Sequence, residues 1–404
     1  MVHLLLLGSS RQAYTKLKKA VNNCDLTIIN TTNMLKPFYS TLYSRVLTTP
    51  IRDDLEWTQL AKIVHNCYPI DRVITLDDNL QELAYRISEF LHIPTLCSLN
   101  TINLLNNKLL MRNFLKDKNF NQAQAIRLEK KSDLRSAMFE YGTVIIKPIL
   151  GSGSKDIFKV SNLDDCATFF KNSRKKISNF LVEPFFEGEE YSIESYSEDG
   201  KHRIYGVTKK IKDNYFVETG HIVPGIIENQ NLINKIKERV KEFLDVVGFT
   251  DGPAHTEIII SPEEINIVES QPRIGGDMIN DLYELAMGID IFSLIMQGLS
   301  GEKVFDAIPE YCEFNFDKFA FVSFLPSKTG KVISIKNNIN LENDNCIKGF
   351  KVGCDVGEQL IEDRSSSGRL AYYWGTAQSY SEAMDECLKI KARIKIQTNS
   401  NLGR

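Results

Sequence analysis

The chain has 404 residues, of which 43% are hydrophobic and 25% are charged, and its formal net charge is −3. This length exceeds what one hydrophobic core usually holds, so we expect two or three domains. The near-neutral charge gives no support to nucleic-acid binding, and the apolar runs are too short to cross a bilayer. The eight cysteines form no C-x-x-C pair, which favours reduced thiols and a cytoplasmic location.

The first hundred residues predict alternating strands and helices. The apolar run at residues 3–9 lacks a basic segment before it, so it predicts a buried strand rather than a secretion signal. An amphipathic helix at 11–23, a strand at 25–30 and a strand followed by a helix at 72–94 come next. This order predicts an open parallel sheet, and "GSS" after the first strand lacks the glycine pattern of a dinucleotide site.

The middle of the chain predicts a helix and then antiparallel strands. The helical pattern at residues 102–119 places Lys108 and Arg112 one turn apart. Short strand-like runs separated by glycine or charged turns favour antiparallel pairing, and they lie at 142–149, 155–160, 180–186, 190–197 and 202–210. Beyond them the sequence predicts a helix at 231–248, a hairpin at 252–277, and further strands with a closing helix at 379–397.

The stretch "IIKPILGSGSKDI", residues 145–157, places a lysine on a strand before a glycine- and serine-rich turn. Backbone N–H groups of such a turn can surround phosphate oxygens, and Lys147 adds positive charge. The P-loop and the kinase glycine loop are both excluded, because in those patterns the lysine follows the glycines. A phosphate-binding turn and an ordinary hairpin remain as the two interpretations.

Two further motifs carry acidic residues. In "FLVEPFFEGEEYSIES" a buried strand ends at Glu183 and Glu190 follows seven residues later, which suits an adenine and ribose site or a solvated acidic turn. Glu257 and Glu269 lie on the two arms of the predicted hairpin, and a three-residue turn over 262–264 would place them directly opposite each other. Two facing carboxylates need positive charge between them, and magnesium is the natural candidate. Surface acids on opposite faces are the alternative.

In this order, the motifs resemble those of the ATP-grasp superfamily, specifically its carboxylate–amine ligases. They are "NNKLLMR", "IIKP", "GSGS", "VEPFFEGEEYSIE", "GVTKK", "YFVETGHIVPG", "GPAHTEI" and "ESQPRIGGD". The resemblance covers most of the chain and implies the ATP-grasp fold, of mixed α/β (α+β) class. The implied parts are an N-terminal open parallel-sheet domain (1–103), a two-lobed ATP-binding domain (104–310, with a small lid lobe at about 120–187) and a C-terminal lid subdomain (311–404).

The resemblance also implies roles for individual residues. The implied nucleotide contacts are Lys108, Lys147, the loop residues Gly151, Ser152, Gly153 and Ser154, the adenine-binding Glu183, Pro184, Phe185 and Phe186, the ribose-binding Glu190, and Lys210, with Lys209 as its competitor. The implied magnesium ligands are Glu257, Glu269 and Gln271, where the family motif has asparagine at the last position. The implied catalytic residues are Lys147, Arg273 and His255, and a structural role is the alternative for the histidine.

The activity that the resemblance implies is ATP-dependent amide-bond formation through an acyl phosphate, with release of ADP and phosphate. Its cofactors are ATP and Mg²⁺, or Mn²⁺, and its partners are small carboxylate and amine substrates, with a homodimer expected and no nucleic acid or membrane. "FVETGHIVPG" and the C-terminal extension resemble those of L-amino-acid ligases, so an amino acid is the expected substrate. The alternatives are a carrier protein or peptide as acceptor, a bicarbonate-activating carboxylase, and a non-catalytic ATP sensor. His255, Glu269 and a phosphate oxygen all remain candidates for the general base.

Overall fold

The computed structural model describes residues 1–8, 16–17, 20–21, 24–120, 124–173, 175–225, 229–262, 264–313, 316–342 and 344–399. Most of the helix expected at residues 11–23 lies outside these ranges. Within them, nineteen strands form four sheets, and no helix is long and apolar enough to cross a membrane.

A four-stranded parallel sheet forms the N-terminal part, as the sequence pattern predicts. Its strands are Val2–Leu7 (β1), Cys24–Thr31 (β2), Arg45–Thr49 (β3) and Arg72–Thr75 (β4). They pair in the order β3-β2-β1-β4. The helices of this part are Tyr39–Leu42 (α1), Asp54–Cys67 (α2), Gln81–Leu91 (α3) and Leu99–Asn106 (α4). Because both faces of the sheet are covered, β1 is apolar on both sides.

A small lobe follows, built on a four-stranded antiparallel sheet. Its strands are Ile126–Arg127 (β5), Val144–Pro148 (β6), Phe158–Val160 (β7) and Phe180–Pro184 (β8), paired in the order β5-β8-β6-β7. The helices are Lys108–Asp117 (α5), Lys131–Tyr141 (α6) and Leu163–Asn172 (α7). The predicted antiparallel pairing is confirmed, although the strand expected at 155–160 begins only at Phe158.

An eight-stranded sheet forms the centre of the molecule. Its strands are Glu189–Glu198 (β9), Lys201–Lys212 (β10), Glu218–Val223 (β11), Gly252–Ile260 (β12), Ile265–Gln271 (β13), Phe319–Leu325 (β14), Ile347–Val352 (β16) and Ala371–Ala377 (β18). Their order is β13-β12-β9-β10-β11-β14-β18-β16. The helices between them are Gln230–Val246 (α8), Ile279–Met287 (α9) and Ile291–Leu299 (α10). Three strands that follow residue 311 thus extend the same sheet.

The C-terminal part adds a small sheet and two helices. The strands Gly330–Asn337 (β15), Gln359–Leu360 (β17) and Ile394–Asn399 (β19) pair in the order β17-β15-β19, and the helices are Tyr380–Leu388 (α11) and Ile390–Arg393 (α12). The prediction of a single closing helix at 379–397 is therefore wrong at its C-terminal end. Ile394 and Ile396 point inward while their neighbours are exposed, and this alternation is the period of a strand.

Short 3-10 turns connect several of these elements. They lie at Thr32–Met34, Asp78–Leu80, Ile177–Asn179, Phe305–Ala307, Tyr311–Glu313 and Ser366–Gly368.

The β12–β13 hairpin places Glu257 directly opposite Glu269, as the sequence predicts, but by a different route. Ile260 pairs with Ile265, so the loop has four residues rather than three. The register then shifts by one residue at Val268, which is a β-bulge. An even-numbered loop and one bulge together restore the alignment that an odd-numbered loop would give.

A buried ion cluster joins the small lobe to this hairpin. Lys147 Nζ lies 2.5 Å from one oxygen of Glu183, and Arg112 Nε donates to the other at 3.0 Å. Arg112 also donates to the carbonyl of the bulged Val268 at 3.0 Å. Burial alone would raise the pKa of Glu183, but the two cations lower it from 4.5 to about 2. The cluster therefore stabilises the fold only while Glu183 is ionised.

Arg112→Met tests this contribution. Removing one partner of a buried ion pair leaves an uncompensated charge, so we expect the free energy of unfolding near pH 7 to fall by about 3 kcal/mol. The loss should shrink as the pH drops from 4.5 toward about 2, because Glu183 then becomes protonated and the pair no longer stabilises the parent protein. Urea unfolding at neutral and at acid pH measures both values.

The matched control is Arg86→Met, which breaks the exposed pair between Glu82 and Arg86 on one helix. Exposed pairs at this spacing contribute little, so its unfolding free energy should stay within about 0.5 kcal/mol of the parent value. If Arg112→Met is equally harmless, the buried cluster has no stabilising role.

Candidate active site

One face of the β12–β13 hairpin carries four polar side chains. Glu257 pairs with Glu269, and His255 pairs with Gln271, so all four side chains project from the same side of the sheet. Two carboxylates, an imidazole and an amide are thus gathered within two strand positions of each other. The hairpin therefore brings together the residues that the sequence marked as metal ligands, and His255 with them.

Lys210 neutralises the first of these carboxylates. Its Nζ lies 2.5 Å from Glu257, 3.1 Å from Glu218 and 3.4 Å from Glu190, and Lys212 forms a second ion pair with Glu190. Burial alone would lower the pKa of Lys210, but the three carboxylates raise it well above its usual value. Lys210 is therefore a fixed cation between Glu257, which the sequence analysis assigned to the metal, and Glu190, which it assigned to the ribose. The competing Lys209 points elsewhere and pairs with Glu189 at 3.1 Å.

Lys108 neutralises the second carboxylate. Its Nζ lies 2.8 Å from Glu269, and it also donates to the carbonyl of Gly151 at 2.6 Å. Gln271 Nε2 donates to Glu269 at 2.6 Å, whereas Gln271 Oε1 is buried and has no hydrogen-bond partner among the described residues. An acceptor oxygen without a donor is costly in a buried site, so this oxygen is suited to a cation.

These residues fit a magnesium ion. Glu257, Glu269 and the free oxygen of Gln271 are hard oxygen donors, which is the ligand type that Mg²⁺ prefers. In the described part of the chain, no group of three or more His, Cys, Asp or Glu side chains is arranged to hold a metal by itself. Mg²⁺ commonly takes one or two carboxylates and completes its shell with substrate phosphates and water, so two carboxylates and an amide are sufficient.

The glycine-rich loop lies against Lys108 on one side and against the C-terminal part on the other. Gly151 and Gly153 both have positive φ angles, of 123° and 73°, which favour glycine. The carbonyl of Gly153 accepts a hydrogen bond from the backbone N–H of Ser366 at 3.1 Å. The Ser366 hydroxyl donates to Glu218 at 2.9 Å. The loop is thus joined to the carboxylate cluster around Lys210.

The segment expected to hold adenine is partly engaged by the protein itself. Both carboxylate oxygens of Glu183 are taken, by Lys147 and by Arg112, and the Phe185 N–H donates to the carbonyl of Thr143 at 3.0 Å. The Glu183 carboxylate therefore positions Lys147 and does not point outward. Pro184, Phe185 and Phe186 complete the segment. The adenine contacts of this segment remain a prediction.

Arg273 is held in a fixed orientation by a residue of the N-terminal sheet domain. Its Nε and one Nη donate to the two oxygens of Asp78 at 2.6 and 2.9 Å, and its other Nη donates to the carbonyl of Ile274 at 2.8 Å. Asp78 is the third residue after the end of β4. The side chain expected to stabilise the phosphoryl group is thus anchored from a part of the chain that lies 195 positions away.

His255 is held as a cation between two acids. Its Nδ1 lies 2.9 Å from Glu194, and its Nε2 lies 3.5 Å from Glu257. Burial alone would lower the pKa of His255, but the two carboxylates raise it to about 9. Its contacts with both acids suit His255 to hold the Glu257 side chain, and its catalytic role stays a prediction.

A cavity of about 430 Å³ lies beside this centre, between the "GGDM" turn and the C-terminal strands. Its walls include Met278, Phe324 and Tyr372, and its polar side chains include Asp277 and Arg369. Arg369 Nη1 lies 2.7 Å from Asp277, and its Nη2 donates to Glu218 at 3.1 Å. A largely apolar cavity with a few fixed polar groups is typical of a site for a small ligand.

Five side chains that complete the site were missed by sequence reasoning. Glu194 lies on a predicted strand, and a lone acid inside a buried strand is a signal that could have marked it. Glu218 begins β11, a strand that the sequence analysis did not predict. Asp78 lies in the turn after the carboxyl end of a parallel strand, where ligand-binding residues commonly occur. Ser366 and Arg369 carry no comparable signal, since their role depends on contacts with distant segments. These five residues are Asp78, Glu194, Glu218, Ser366 and Arg369.

Comparison with known proteins finds an ATP-grasp domain and related ligases. Residues 141–281 match the ATP-grasp domain. The chain is 23% identical to the L-arginine-specific L-amino acid ligase of Bacillus subtilis over 309 residues, which cover 72% of this chain and 74% of that protein. It is 26% identical to the alanine–anticapsin ligase of Bacillus amyloliquefaciens over 212 residues, which cover 45% of this chain and 44% of that protein.

The fold is also that of a solved L-amino acid ligase. The crystal structure of the enzyme from Bacillus licheniformis superimposes with a TM-score of 0.82 and 18% sequence identity, over 98% of this chain and 99% of that one. At this identity the likeness shows the fold. Residues 141–281 therefore form an ATP-grasp domain, and the chain is similar in sequence to an L-amino acid ligase and has the fold of one.

Proposed function

We propose that this protein is an ATP-dependent carboxylate–amine ligase that forms an amide bond through an acyl phosphate, with an amino acid as one substrate. The observation that carries the proposal is the hairpin face on which Glu257 and Glu269 oppose each other, each paired with a buried lysine. Two facing carboxylates repel each other, so both stay ionised only where positive charge lies beside them. The free oxygen of Gln271 beside them supports the same assignment.

The proposed reaction has two steps. First, an oxygen of the substrate carboxylate bonds to the γ-phosphorus of ATP while the bond from that phosphorus to ADP breaks. Next, the amine nitrogen bonds to the acyl carbon, phosphate leaves with the bonding electrons, and the amine releases a proton. Neither step requires a covalent nucleophile from the protein, so catalysis rests on positioning, charge and exclusion of water.

The residues of the site suit these tasks. We propose that Lys108 and Lys147 bind the phosphates of ATP, that Glu190 binds the ribose, and that Glu257 and Glu269 with Gln271 hold Mg²⁺ or Mn²⁺. A bound divalent ion supplies positive charge beside the phosphate oxygens. The contact between Gly153 and Ser366 supports a role of the glycine-rich loop in closing the site, which protects an acyl phosphate from hydrolysis.

An amino acid as substrate is supported by two independent facts. Two related proteins are named an L-amino acid ligase and an alanine–anticapsin ligase, and the cavity of about 430 Å³ beside the "GGDM" turn has the size and the largely apolar walls that a small molecule needs. A homodimer, a cytoplasmic location and a carrier-bound acceptor stay predictions.

Phosphate release measured with single amino acids and with pairs tests this function. The protein is incubated with ATP, Mg²⁺ and the amino acids, and products are weighed by mass spectrometry. We expect phosphate release that depends on an amino acid, together with a product whose mass equals the two substrates less one water. Release that depends on bicarbonate alone contradicts the proposal, and an amide found only on an added carrier peptide favours the loading variant.

Glu269→Gln tests the metal assignment. The substitution keeps the size of the side chain but removes the charge that faces Glu257, so we expect kcat to fall on the order of 100-fold or more. ATP affinity should change far less, because Lys147 and the glycine-rich loop are untouched. Steady-state kinetics and calorimetric titration with ATP measure the two quantities.

Glu264→Gln is the matched control, because Glu264 is an exposed residue of the loop that joins the same two strands. It should leave kcat unchanged. A near-normal kcat in Glu269→Gln would show that the metal assignment is wrong.

Ser366→Pro tests the contact that closes the glycine-rich loop. Ser366 begins a 3-10 turn and follows an extended residue, a position that proline tolerates. The variant removes the N–H that donates to Gly153, so we expect roughly fivefold more phosphate released per amide formed, since a lost hydrogen bond is worth about 1 kcal/mol.

Ser366→Ala separates this effect from the loss of the hydroxyl group. It removes the hydrogen bond to Glu218 but keeps the N–H, so its ratio of phosphate to amide should stay close to that of the parent protein. Equal ratios in the proline and alanine variants would contradict a role of the backbone contact.

A further inference from the structure

The ion pair between Asp78 and Arg273 is placed unusually for a purely structural contact. The two side chains are only 18% and 16% exposed, and they meet through two parallel hydrogen bonds of 2.6 and 2.9 Å. Asp78 belongs to the N-terminal part of the chain, whereas Arg273 lies four residues after Glu269, just beyond the end of the hairpin. The pair therefore connects the edge of one sheet to the reaction centre built on another.

The pattern of donors shows which part of Arg273 is left for a ligand. A guanidinium group has five N–H donors. Asp78 takes the Nε–H and one Nη2–H, and the carbonyl of Ile274 takes one Nη1–H at 2.8 Å. One N–H on each Nη is not used by these contacts. These two form the end of the guanidinium group, and a planar fork of this kind matches the oxygens of a carboxylate or phosphoryl group.

The backbone keeps this fork close to the reaction centre. The N–H of Arg273 donates to the carbonyl of Gln271 at 2.9 Å, which makes a tight turn directly after β13. A cavity of about 470 Å³ opens at the same place, and its walls include Asp78, Gln271, Lys108 and Gly151. Burial alone would lower the pKa of Arg273, but Asp78, Glu257 and Glu194 raise it, so the group stays cationic.

We propose that Asp78 is a positioning residue for the ligase reaction: it holds Arg273 by one edge so that the free end of the guanidinium group binds the oxygens of the acyl phosphate. The inference rests on the proposed function. Asp78 itself touches no reacting atom. It acts through Arg273, and in this way the N-terminal sheet domain completes the reaction centre.

Asp78→Asn is the first test. The amide keeps the shape of the side chain but offers only one acceptor oxygen, so the guanidinium group is no longer held at both nitrogens. We expect kcat to fall about 10- to 100-fold, because small misplacements of a positioning group cost this much. The KM for ATP should stay within about twofold of the parent value, since the phosphate-binding lysines are unchanged.

The matched control is Asp25→Asn. Asp25 forms an ion pair of 2.7 Å with Arg45 in the same domain, with side chains that are 23% and 22% exposed. Asp25→Asn should leave kcat unchanged.

Asp78→Glu keeps the charge and the ion pair but moves the carboxylate outward. A contact that only holds two parts of the chain together would tolerate this exchange. We therefore expect a reduced kcat in Asp78→Glu as well, and a parent-like kcat in it overturns the proposal.

A double-mutant cycle shows whether Asp78 acts through Arg273. Arg273→Ala alone should lower kcat more than Asp78→Asn does, and adding Asp78→Asn to it should cause no further loss. If the second substitution lowers kcat by the same factor in both backgrounds, Asp78 acts independently of Arg273 and the proposal is wrong.

A binding measurement separates this inference from the proposed function. The parent protein and Asp78→Asn are titrated with Mg-ADP, with and without aluminium fluoride as a mimic of the transferring phosphoryl group. We expect at least about tenfold weaker binding of Mg-ADP with aluminium fluoride in the variant, and equal binding of Mg-ADP alone. If these affinities are found but no turnover depends on an amino acid, the proposed function is refuted and the role of Asp78 is not. If the parent protein and the variant have equal affinities in both titrations, the role of Asp78 is refuted.

Discussion

Two carboxylates held opposite each other in a protein interior repel one another unless positive charge lies beside them. In this chain, Glu257 and Glu269 meet on neighbouring strands, and each is neutralised by a lysine from a different element. Lys210 comes from the central sheet, and Lys108 comes from the first turn of α5. The position of α5 relative to the hairpin is therefore dictated by charge as well as by apolar packing.

The same helix carries the constraint into the small lobe. Arg112 lies one turn beyond Lys108, and it binds both Glu183 of the lobe and the carbonyl of the bulged Val268. That bulge is the feature that aligns Glu269 with Glu257. A bulge leaves a backbone carbonyl outside the regular ladder, and Arg112 supplies its donor. One helix thus supports the face that we propose for metal binding in two ways, through Lys108 to the Glu269 carboxylate and through Arg112 to the Val268 carbonyl.

Local pattern was sufficient for the parts of the site that lie on single strands or turns. Lys147 before the glycine-rich turn and the facing glutamates of the hairpin could be found from the sequence, because strand alternation fixes which side chains share a face. The four-residue loop and its bulge could not be found. Together they align Glu257 with Glu269 in the same way as a three-residue loop without a bulge would. The strand after Arg393 was hidden because a short alternating segment directly follows a helical one.

Contacts between distant segments could not be predicted from local sequence patterns, for a different reason. Asp78 and Ser366 reach the site only through the packing of whole domains, and their partners, Arg273 and Gly153, lie about 200 residues away in each case. A sequence shows that such residues are polar, but not what they face. Both contacts join a domain at one end of the chain to the central reaction site. The proposed reaction centre therefore depends on the packing of these parts of the chain against each other, because the same contacts orient its charged groups.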